Sequence, residues 1–525
     1  MNRSAIFSTL IILLGFQSIL AQDGIQFNLE GSLPSYTLFT DSGGTHLIDN
    51  CGYEVHSWPQ IRDRDISYHV KLLPNGNILY QDNREMYEMD WEGDIIYSFR
   101  APSGLIFEYE VIKKENGNYL CLGRESMSNS EFRDMGYNLS LGSPDVIDVV
   151  VEIDPTQDSI IWDWHLADHV IQERDSTLNN YGVIKENPQL LNLDAISTYD
   201  WTFYESFMIN GMGYNDELEM IALSVRKMSE VIFIDNSTTA EESTDHSGGR
   251  YGKGGDVIFR WGNPQNYGYG TQDDQILYYQ HNPIWVHYGE YKNQVSVFNN
   301  GLDRPVDYYS SIDIFQVNPD ENGNFPFDEE LGFLPINASY SYNNLDHEYE
   351  VLLVSDYTSG AQMLENGNLF ITEGRSGRLF EVTPAGDMVW EYIAPGGWYL
   401  FRAEKYPLDY TAFDGKILEP NGTVESPSSP AVCEIATISS IIQPFESNIE
   451  VKFDNSSNNI SIANIDNTEY SFEIYDAFGR VVMSDNSDPL ITEINVGFLS
   501  SGFYIISIND LKSNAKRTFK FTIVE

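Results

Sequence analysis

One stretch of the sequence, residues 223–305, contains side chains that could carry out group transfer. It holds Ser224-Val225-Arg226, then Gln280-His281-Asn282, and then Phe298-Asn299-Asn300-Gly301. A histidine among polar turn residues can act as a nucleophile, and an arginine upstream can bind an anionic group. The stretch therefore supplies the parts of a group-transfer site, provided that the fold brings them together.

The elements that must position these side chains are short β-strands in an internal repeat. The clearest copies are residues 74–97 and 365–392, each a strand after an Asn-Gly turn followed by a hairpin that ends in an aromatic residue. Weaker copies bring the number of units to about six: 45–58, 116–122 with 150–164, 220–235 with 256–261, and 294–314. The repeat predicts an all-β, six-bladed β-propeller, with a β-sandwich or an open solenoid as the alternative.

Composition shifts divide the chain into domains. Residues 421–430 are rich in Ser and Pro, as in a linker, and the short alternating strands after them predict a small β-sandwich. At the N-terminus, Arg3, an apolar run and then Ala21 resemble a signal peptide. We therefore expect a signal peptide at 1–21, a propeller at 22–418, a linker at 419–442 and a β-sandwich at 443–525.

The charge of the chain restricts its partners. The formal net charge is −49, from 30 basic and 79 acidic residues, and this charge repels nucleic acid and anionic lipid. A sulfated or phosphorylated substrate would need a local cationic pocket, for which Arg226 and Arg375 are candidates. No later segment approaches the roughly 18 apolar residues of a membrane-spanning helix, so we expect a secreted or surface-attached protein without a transmembrane segment.

Cysteine and metal patterns point to no further chemistry. Cys51, Cys121 and Cys433 permit at most one disulfide, and the sequence does not identify its ends. There is no His-Glu-x-x-His spacing, the acidic run at 320–324 does not complete an EF-hand, and the glycine-rich run at 248–255 lacks the phosphate-loop pattern. We therefore expect neither a metal site nor a cofactor.

The C-terminal region resembles the sorting domain of the type IX secretion system of Bacteroidetes. The resemblance rests on the segments 473–482 and 499–505 and on the basic residues at 516–520. It implies that the type IX secretion machinery exports the protein across the outer membrane and that the tail is later removed. An ordinary accessory sandwich that stays on the mature protein is the alternative.

Residues from about 45 to 425 resemble the bacterial arylsulfotransferase family, which moves a sulfuryl group between phenols without a nucleotide donor. The motifs that carry the resemblance are Asp235-Asn236-Ser237-Thr238-Thr239, His246-Ser247-Gly248-Gly249, Gly254-Gly255-Asp256, Arg260-Trp261-Gly262-Asn263-Pro264, Gln280-His281, Phe298-Asn299-Asn300-Gly301 and Ser359-Gly360-Ala361-Gln362. The resemblance implies an aryl sulfate donor, a phenolic acceptor and a transiently sulfated histidine. By motif, His281 matches that nucleophile, and Arg226 and Asn210 match its sulfuryl-binding residues.

Two family histidines do not carry over. Met208 and Tyr109 stand where the family has histidines that assist the reaction. A thioether cannot move a proton, and a tyrosine hydroxyl does so readily only near a pKa of roughly 10. His69 could replace one of these groups, and His169 matches a family aspartate-histidine pair that is mostly structural.

The resulting hypothesis is a secreted aryl-sulfate sulfotransferase with impaired activity. His281, Arg226 and Asn210 are its catalytic candidates, and Tyr109, His169, Arg375 and His69 are its substrate-binding candidates. The alternative is a non-catalytic propeller that recognises a glycan, an anionic aromatic compound or another protein. Retention of Arg226 and His281 favours the enzyme, whereas Met208 and Tyr109 favour the binding protein.

Overall fold

The structure is a computed structural model. It describes residues 23–59, 69–139, 144–196, 206–305, 308–343, 352–396 and 400–425, and then 449–454, 459–464, 470–476, 481–487, 492–496, 499, 502–510 and 516–523. The expected signal peptide 1–21, Cys433 and residues 426–442 of the expected linker lie outside the described residues.

The described chain consists mainly of β-strands. The first four are β1 (Gly24–Asn28), β2 (Ser35–Asp41), β3 (Gly44–Asp49) and β4 (Glu54–Trp58). The next eight are β5 (Lys71–Leu72), β6 (Ile78–Gln81), β7 (Glu85–Met89), β8 (Ile95–Arg100), β9 (Leu105–Lys113), β10 (Tyr119–Ser126), β11 (Val146–Asp154) and β12 (Ser159–His165). They are followed by β13 (Val170–Ile171), β14 (Leu191–Asn192), β15 (Ile209–Asn215), β16 (Met220–Val225), β17 (Glu230–Asp235) and β18 (Phe259–Trp261).

The second half continues in the same way. Its strands up to residue 407 are β19 (His281–Trp285), β20 (Val295–Asn299), β21 (Ser311–Phe315), β22 (Phe327–Asp328), β23 (Gly332–Phe333), β24 (Tyr340–Tyr342), β25 (Gly360–Met363), β26 (Leu369–Glu373), β27 (Arg378–Val382), β28 (Met388–Ile393) and β29 (Ala403–Pro407). The C-terminal strands are β30 (Ile449–Asp454), β31 (Asn459–Asn464), β32 (Tyr470–Asp476), β33 (Val481–Ser487), β34 (Thr492–Asn495), β35 (Gly502–Asp510) and β36 (Lys516–Ile523).

Helices in the described part are short. One α-helix, α1 (Asn129–Asp134), begins with a capping box between Ser128 and Glu131. The 3₁₀ turns are Leu166–His169, Ile184–Glu186, Arg226–Met228, Glu242–Thr244, Pro264–Tyr267, Gln272–Asp274 and Thr411–Phe413. Among the described residues, no helix is long and apolar enough to cross a membrane.

Most strands up to β29 form six antiparallel sheets of four or five strands, whereas β13-β14 and β22-β23 are separate two-stranded sheets. In chain order the six sheets are β5-β6-β7-β8, β9-β10-β11-β12, β15-β16-β17-β18, β19-β20-β21-β24, β25-β26-β27-β28-β1 and β29-β2-β3-β4. Each repeat unit expected from the sequence corresponds to one of these sheets. The last two sheets combine strands from the two ends of the region that ends at β29. The first strands of five successive sheets, which are β9, β15, β19, β25 and β29, contact one another in that order.

A polar contact at the Asn-Gly turns recurs in three sheets and explains why the repeat has this sequence. The glycine of the turn adopts a positive φ, for example 89° at Gly76. The asparagine after it donates to a glutamate on the neighbouring strand, and that carboxylate also pairs with a lysine. The three sets are Asn77, Glu88 and Lys113; Asn118, Glu152 and Lys114; and Asn368, Glu381 and Lys405.

The sheet that leads into the candidate site contains a fully buried ion pair. Arg260 on β18 binds both carboxylate oxygens of Glu230 on β17 at 2.8 and 2.6 Å, and neither side chain is exposed. The guanidinium also donates to the carbonyls of Pro188 and Leu190 and lies over the ring of Tyr267. The pair therefore ties the outer strand of this sheet to the loop before β14.

The C-terminal strands form two further antiparallel sheets, β30-β31-β34 and β33-β32-β35-β36. Both sheets contribute to one hydrophobic core, with Ile460 and Ile494 from the first and Phe472 and Ile506 from the second. The tail thus has the two-layer all-β form that its alternating strands predict.

The cysteines and the start of the expected linker have definite environments. Cys51 is disulfide-bonded, whereas Cys121 is a buried free thiol whose pKa is raised by burial.

Residues 421–422 exchange backbone hydrogen bonds with Glu54 at 2.7 and 2.9 Å. The first residues of the expected linker 419–442 therefore pack against β4.

Replacing Arg260 by methionine should destabilise the protein by about 3–5 kcal/mol, because it leaves the Glu230 carboxylate buried without its partner. Arg100→Met is the matched control, since Arg100 is 65% exposed and 3.8 Å from Glu85; its loss should stay below about 1 kcal/mol. Urea denaturation of both variants measures the difference, and equal losses would contradict this view of the pair.

Candidate active site

Three consecutive sheets bend their first strands at corresponding positions. The register of β9 shifts against β10 at residues 108–110, that of β15 against β16 at residues 210–211, and that of β19 against β20 at residues 282–283. A β-bulge re-aims the side chains next to it. Because β9 contacts β15 and β15 contacts β19, polar side chains from three strands lie close together.

The backbone around these bends is strained. Non-glycine residues there with positive φ angles are Tyr109 (65°), Met208 (60°), Tyr279 (57°), Asn282 (57°), Thr358 (55°) and Ser359 (82°). Such conformations cost on the order of 1–3 kcal/mol each and cluster at functional sites, where the surrounding structure holds them.

His281 begins β19 and is held by an asparagine. Its side chain is buried, and its Nδ1 lies 2.6 Å from Oδ1 of Asn300. The Asn300 amide nitrogen donates to the carbonyls of Ser355 and Thr358 at 2.7 and 3.2 Å, so its oxygen faces the imidazole. Nδ1 therefore carries the proton and Nε2 carries the lone pair, which accepts a 3.3 Å hydrogen bond from the backbone N–H of Thr358.

The environment of His281 keeps its imidazole neutral. Burial lowers its pKa most, the positive charges of Arg226 and Arg402 lower it further, and the bond to Asn300 opposes them only in part, so the pKa is about 3. A neutral imidazole with an available lone pair is the form that can act as a nucleophile.

Arg226 directly follows β16 and is buried. Its Nη2 donates to the carbonyl of Asp356 at 3.4 Å, its Nη1 lies 3.9 Å from the sulfur of Met208, and its guanidinium lies 4.8 Å from the ring centre of Tyr279. Burial lowers its pKa to about 10, so Arg226 remains a cation at neutral pH.

Asn210 connects two of the bent strands. Its amide nitrogen donates to the carbonyl of Gln280 at 2.9 Å, and the hydroxyl of Ser224 donates to the same carbonyl at 3.1 Å. Within the described part of the chain, Oδ1 of Asn210 is buried without a hydrogen-bond partner. The contacts of Asn210 fix the backbone of the residue that precedes His281.

Tyr109 and Met208 lie at the half-buried rim of the site. Tyr109 accepts a hydrogen bond from Arg124 at 3.0 Å and stacks on Phe401, with ring centres 5.9 Å apart. Met208 contributes only its thioether, next to Arg226. The rim is therefore aromatic and apolar.

His69 is held between two carboxylates. Its Nδ1 lies 2.9 Å from Glu110, and its Nε2 lies 2.9 Å from Glu404. Burial and Arg402 act to lower its pKa, but the two carboxylates outweigh them and the pKa is raised. The two carboxylates therefore favour the protonated form of His69.

Arg402 is a further cation at this site, which sequence reasoning missed. It is buried, and its Nη1 donates to both oxygens of Glu110 at 3.1 and 3.0 Å. Among the described residues, Nε and Nη2 of Arg402 and Nδ2 of Asn282 have no hydrogen-bond partner. A Cβ on Gly360 would lie 2.4 Å from the Asn282 amide oxygen and 3.1 Å from Nε of Arg402, so this glycine leaves space between these groups.

The structure does not bring His169 and Arg375 into contact with His281. His169 is buried against Asp256 and the carbonyl of Ser243, at 2.9 and 2.8 Å. Arg375 is 52% exposed and pairs with Asp356. Since the Asp356 carbonyl also accepts from Arg226, Arg375 lies at the outer edge of the site.

In the sequence, Asn300 stands out only as part of the motif Phe298-Asn299-Asn300-Gly301, and no motif pointed to a role for Thr358 or Arg402. Asn300 could have been found by its place at the end of the strand that pairs with β19. Arg402 stands directly before β29, as Met208 stands directly before β15. Aligning the sixth repeat unit would therefore have drawn attention to it.

Two family descriptions match the chain. Arylsulfotransferase (ASST) matches residues 35–322, and the secretion system C-terminal sorting domain matches residues 443–524. No curated protein sequence matches.

Solved structures that resemble the chain do so at low identity. A Bacteroides caccae protein of unknown function is 12% identical, covers 71% of this chain and 98% of its own, and has a TM-score of 0.39. PorZ, a surface component of the type IX secretion system of Porphyromonas gingivalis, is 11% identical over 95% of this chain and 51% of its own, at 0.32. Virginiamycin B lyase from Staphylococcus aureus is 10% identical over 73% and 87%, at 0.30. TM-scores this low do not establish a shared function.

The low pKa of His281 predicts that acid destabilises the wild type through this residue. The folded imidazole titrates at about 3 and the unfolded one near 6.5. Between these values the unfolded chain binds more protons, so stability falls as the pH falls. From pH 6.5, where the unfolded imidazole is half protonated, to pH 5, the wild type should lose about 1.6 kcal/mol more than His281→Gln. Urea unfolding at both pH values measures this loss, and identical losses would mean that His281 is protonated in the folded state.

Proposed function

Because the chain belongs to the arylsulfotransferase family, we propose that it moves a sulfuryl group from an aryl sulfate to a phenol, with His281 as the nucleophile. The observation that carries this proposal is the neutral imidazole of His281, whose Nε2 holds the lone pair while Arg226 and Arg402 act on it as nearby cations. This combination suits attack on an anionic sulfate ester.

In the first step the Nε2 lone pair of His281 attacks the sulfur of the donor. The N–S bond forms as the S–O bond to the aryl group breaks, and the phenoxide leaves with the electron pair of that bond. The proton on Nδ1 stays in its hydrogen bond to Asn300, which stabilises the positive charge that develops on the ring.

In the second step an acceptor phenol attacks the same sulfur. The N–S bond breaks, Nε2 recovers its electron pair, and the phenol loses its proton to solvent. The products are a new aryl sulfate and neutral His281, so the group is ready for another cycle.

Donors for the sulfuryl oxygens come from four elements. Arg226 supplies one guanidinium, and Nε and Nη2 of Arg402 and Nδ2 of Asn282 supply buried N–H groups that no described residue accepts. The N–H of Thr358, which donates to Nε2 in the resting site, can turn to a sulfuryl oxygen once Nε2 is bonded to sulfur. Preorganised donors of this kind stabilise charge in the transition state.

Protonation of the leaving phenoxide is the step that the site supports least. The thioether of Met208 cannot donate a proton, and His69 is engaged by two carboxylates. The phenoxide must therefore leave with little protonation. We accordingly infer that the enzyme acts on aryl sulfates of acidic phenols and that Tyr109, stacked on Phe401, receives the aryl ring.

We also propose a closed propeller fold and export of the protein. The contact of first strands in order, and the sheet β29-β2-β3-β4 built from both ends of the region, support a closed six-bladed propeller. The sorting tail supports secretion or display at the cell surface. The limits 22–418, 419–442 and 443–525, the signal peptide and the origin in Bacteroidetes remain predictions.

A binding protein without catalysis is the second candidate. The observation that favours it is the contact of Met208 with Arg226, because an apolar group replaces a family histidine beside the cation. Such a protein would retain the buried cations to hold an anionic aromatic compound.

Acceptor-dependent release of 4-nitrophenol from 4-nitrophenyl sulfate, with phenol as acceptor, should fall at least about 1,000-fold in His281→Ala, because the nucleophile is lost. His46→Gln is the control, since His46 on β3 pairs with Asp41 and Glu54; it should retain wild-type rates. No release by the folded wild type would support the binding protein, and full activity of His281→Ala would require a different nucleophile.

Arg402→Gln should lower kcat for the same substrate by about 100- to 1,000-fold, the usual effect of losing one oxyanion donor. Glu110→Gln is the control, because it removes the ion pair of Arg402 but keeps the guanidinium. If both variants lose kcat equally while remaining folded, Arg402 acts through the ion pair and not on the sulfuryl group.

A further inference from the structure

A second cluster of polar side chains lies beside the outer strands of the second and third sheets, β12 and β18, and the proposed reaction does not use it. His169 follows β12, and His246 and Asp256 lie in the glycine-rich loop between β17 and β18. Nδ1 of His169 and Nδ1 of His246 lie 2.9 and 2.8 Å from the same oxygen of Asp256. Within the described residues these three form a group that could hold a metal ion.

The outer hydrogen bond of His169 suits metal binding. Its Nε2 lies 2.8 Å from the carbonyl of Ser243, which can only accept a hydrogen bond, so Nε2 carries a proton. Its Nδ1 makes a 2.9 Å hydrogen bond with the carboxylate of Asp256, and a metal ion bound here would displace the proton of that bond and take the Nδ1 lone pair. A ring N–H donated to a backbone carbonyl is the usual outer contact of a metal-binding histidine.

The surrounding chain packs closely against His169. His169 is fully buried and stacks on Trp164, with ring centres 5.5 Å apart. The carbonyl of Gly255 accepts from Trp164 at 2.7 Å, and a Cβ on Gly255 would lie 2.6 Å from Nε2 of His169. Only glycine therefore allows the loop to place Asp256 against His169.

Charge and donor type indicate which ion fits. Two imidazole nitrogens and one carboxylate oxygen are a set that Zn²⁺ accepts, with an open fourth position for water. Ligands of a tetrahedral zinc ion lie about 3.4 Å apart when the bonds are about 2.1 Å. The two nitrogen–oxygen separations, 2.9 and 2.8 Å, are about half an ångström shorter, and His246, whose side chain is 59% exposed, has room to move outward.

We propose that His169, His246 and Asp256 form a zinc site that cross-links the loop of the third sheet to the second sheet. The net charge of −49 favours a divalent cation there. The site is separate from His281 and from the proposed reaction. This site departs from the expectation that the chain has no metal site, because His169 and Asp256 are 87 residues apart and form no local spacing motif.

Zinc content and thermal unfolding of the folded chain, purified without a histidine tag, test this proposal. We expect one zinc ion per wild-type chain by plasma mass spectrometry, and a lower Tm after removal of zinc with a chelator. His246→Ala should weaken zinc binding at least about 100-fold, and its Tm should no longer respond to the chelator. Because His246 is exposed, this variant should remain folded.

His165→Ala is the matched control. His165 also lies between two carboxylates, those of Glu125 and Asp163, at 2.8 and 3.0 Å, but outside the cluster. It should keep the full zinc content. Zinc content in His246→Ala equal to the wild type, a wild-type Tm that ignores the chelator, or stoichiometric Ca²⁺ or Mg²⁺ in place of zinc would overturn the proposal.

Discussion

The hydrogen bond between Nδ1 of His281 and Oδ1 of Asn300 determines what the whole candidate site can do. It fixes the tautomer, and the Asn300 amide is itself fixed by two carbonyls of the loop before β25. With the proton on Nδ1, the Nε2 lone pair is the reactive atom. Reversing the amide would place its N–H groups against Nδ1, move the proton to Nε2 and remove the nucleophile.

Charge is the second constraint. A chain with a net charge of −49 must bind an anionic substrate against its own field, so the cations that matter are held close to the reaction. Arg226 and Arg402 lower the pKa of His281, so the same charges that attract a sulfate ester also keep its nucleophile unprotonated. The carboxylate of Glu110 balances Arg402 and His69, which keeps the cluster from becoming a strong net cation.

The sequence predicted the repeat well, because its signals are local. The Asn-Gly turns at Asn75-Gly76 and Asn366-Gly367 open strands where they were expected, since a positive φ and a short polar side chain act within a few residues. Motifs likewise identified His281 and Arg226 as candidates. The role of Arg402 could not be predicted, because it depends on contacts with Glu110, which is 292 residues away in the sequence. For His69 the sequence suggested a helper, whereas the paired carboxylates of Glu110 and Glu404 determine its charge.

The proposed transfer depends on His281 carrying the sulfuryl group between donor and acceptor. The most direct measurement is mass spectrometry of the peptide that contains His281, after the wild type is mixed with 4-nitrophenyl sulfate alone and quenched rapidly. We expect one added sulfuryl group on His281, which disappears when phenol is added before the quench. Release of 4-nitrophenol with no sulfated peptide, or with the sulfuryl group on another residue, would contradict it.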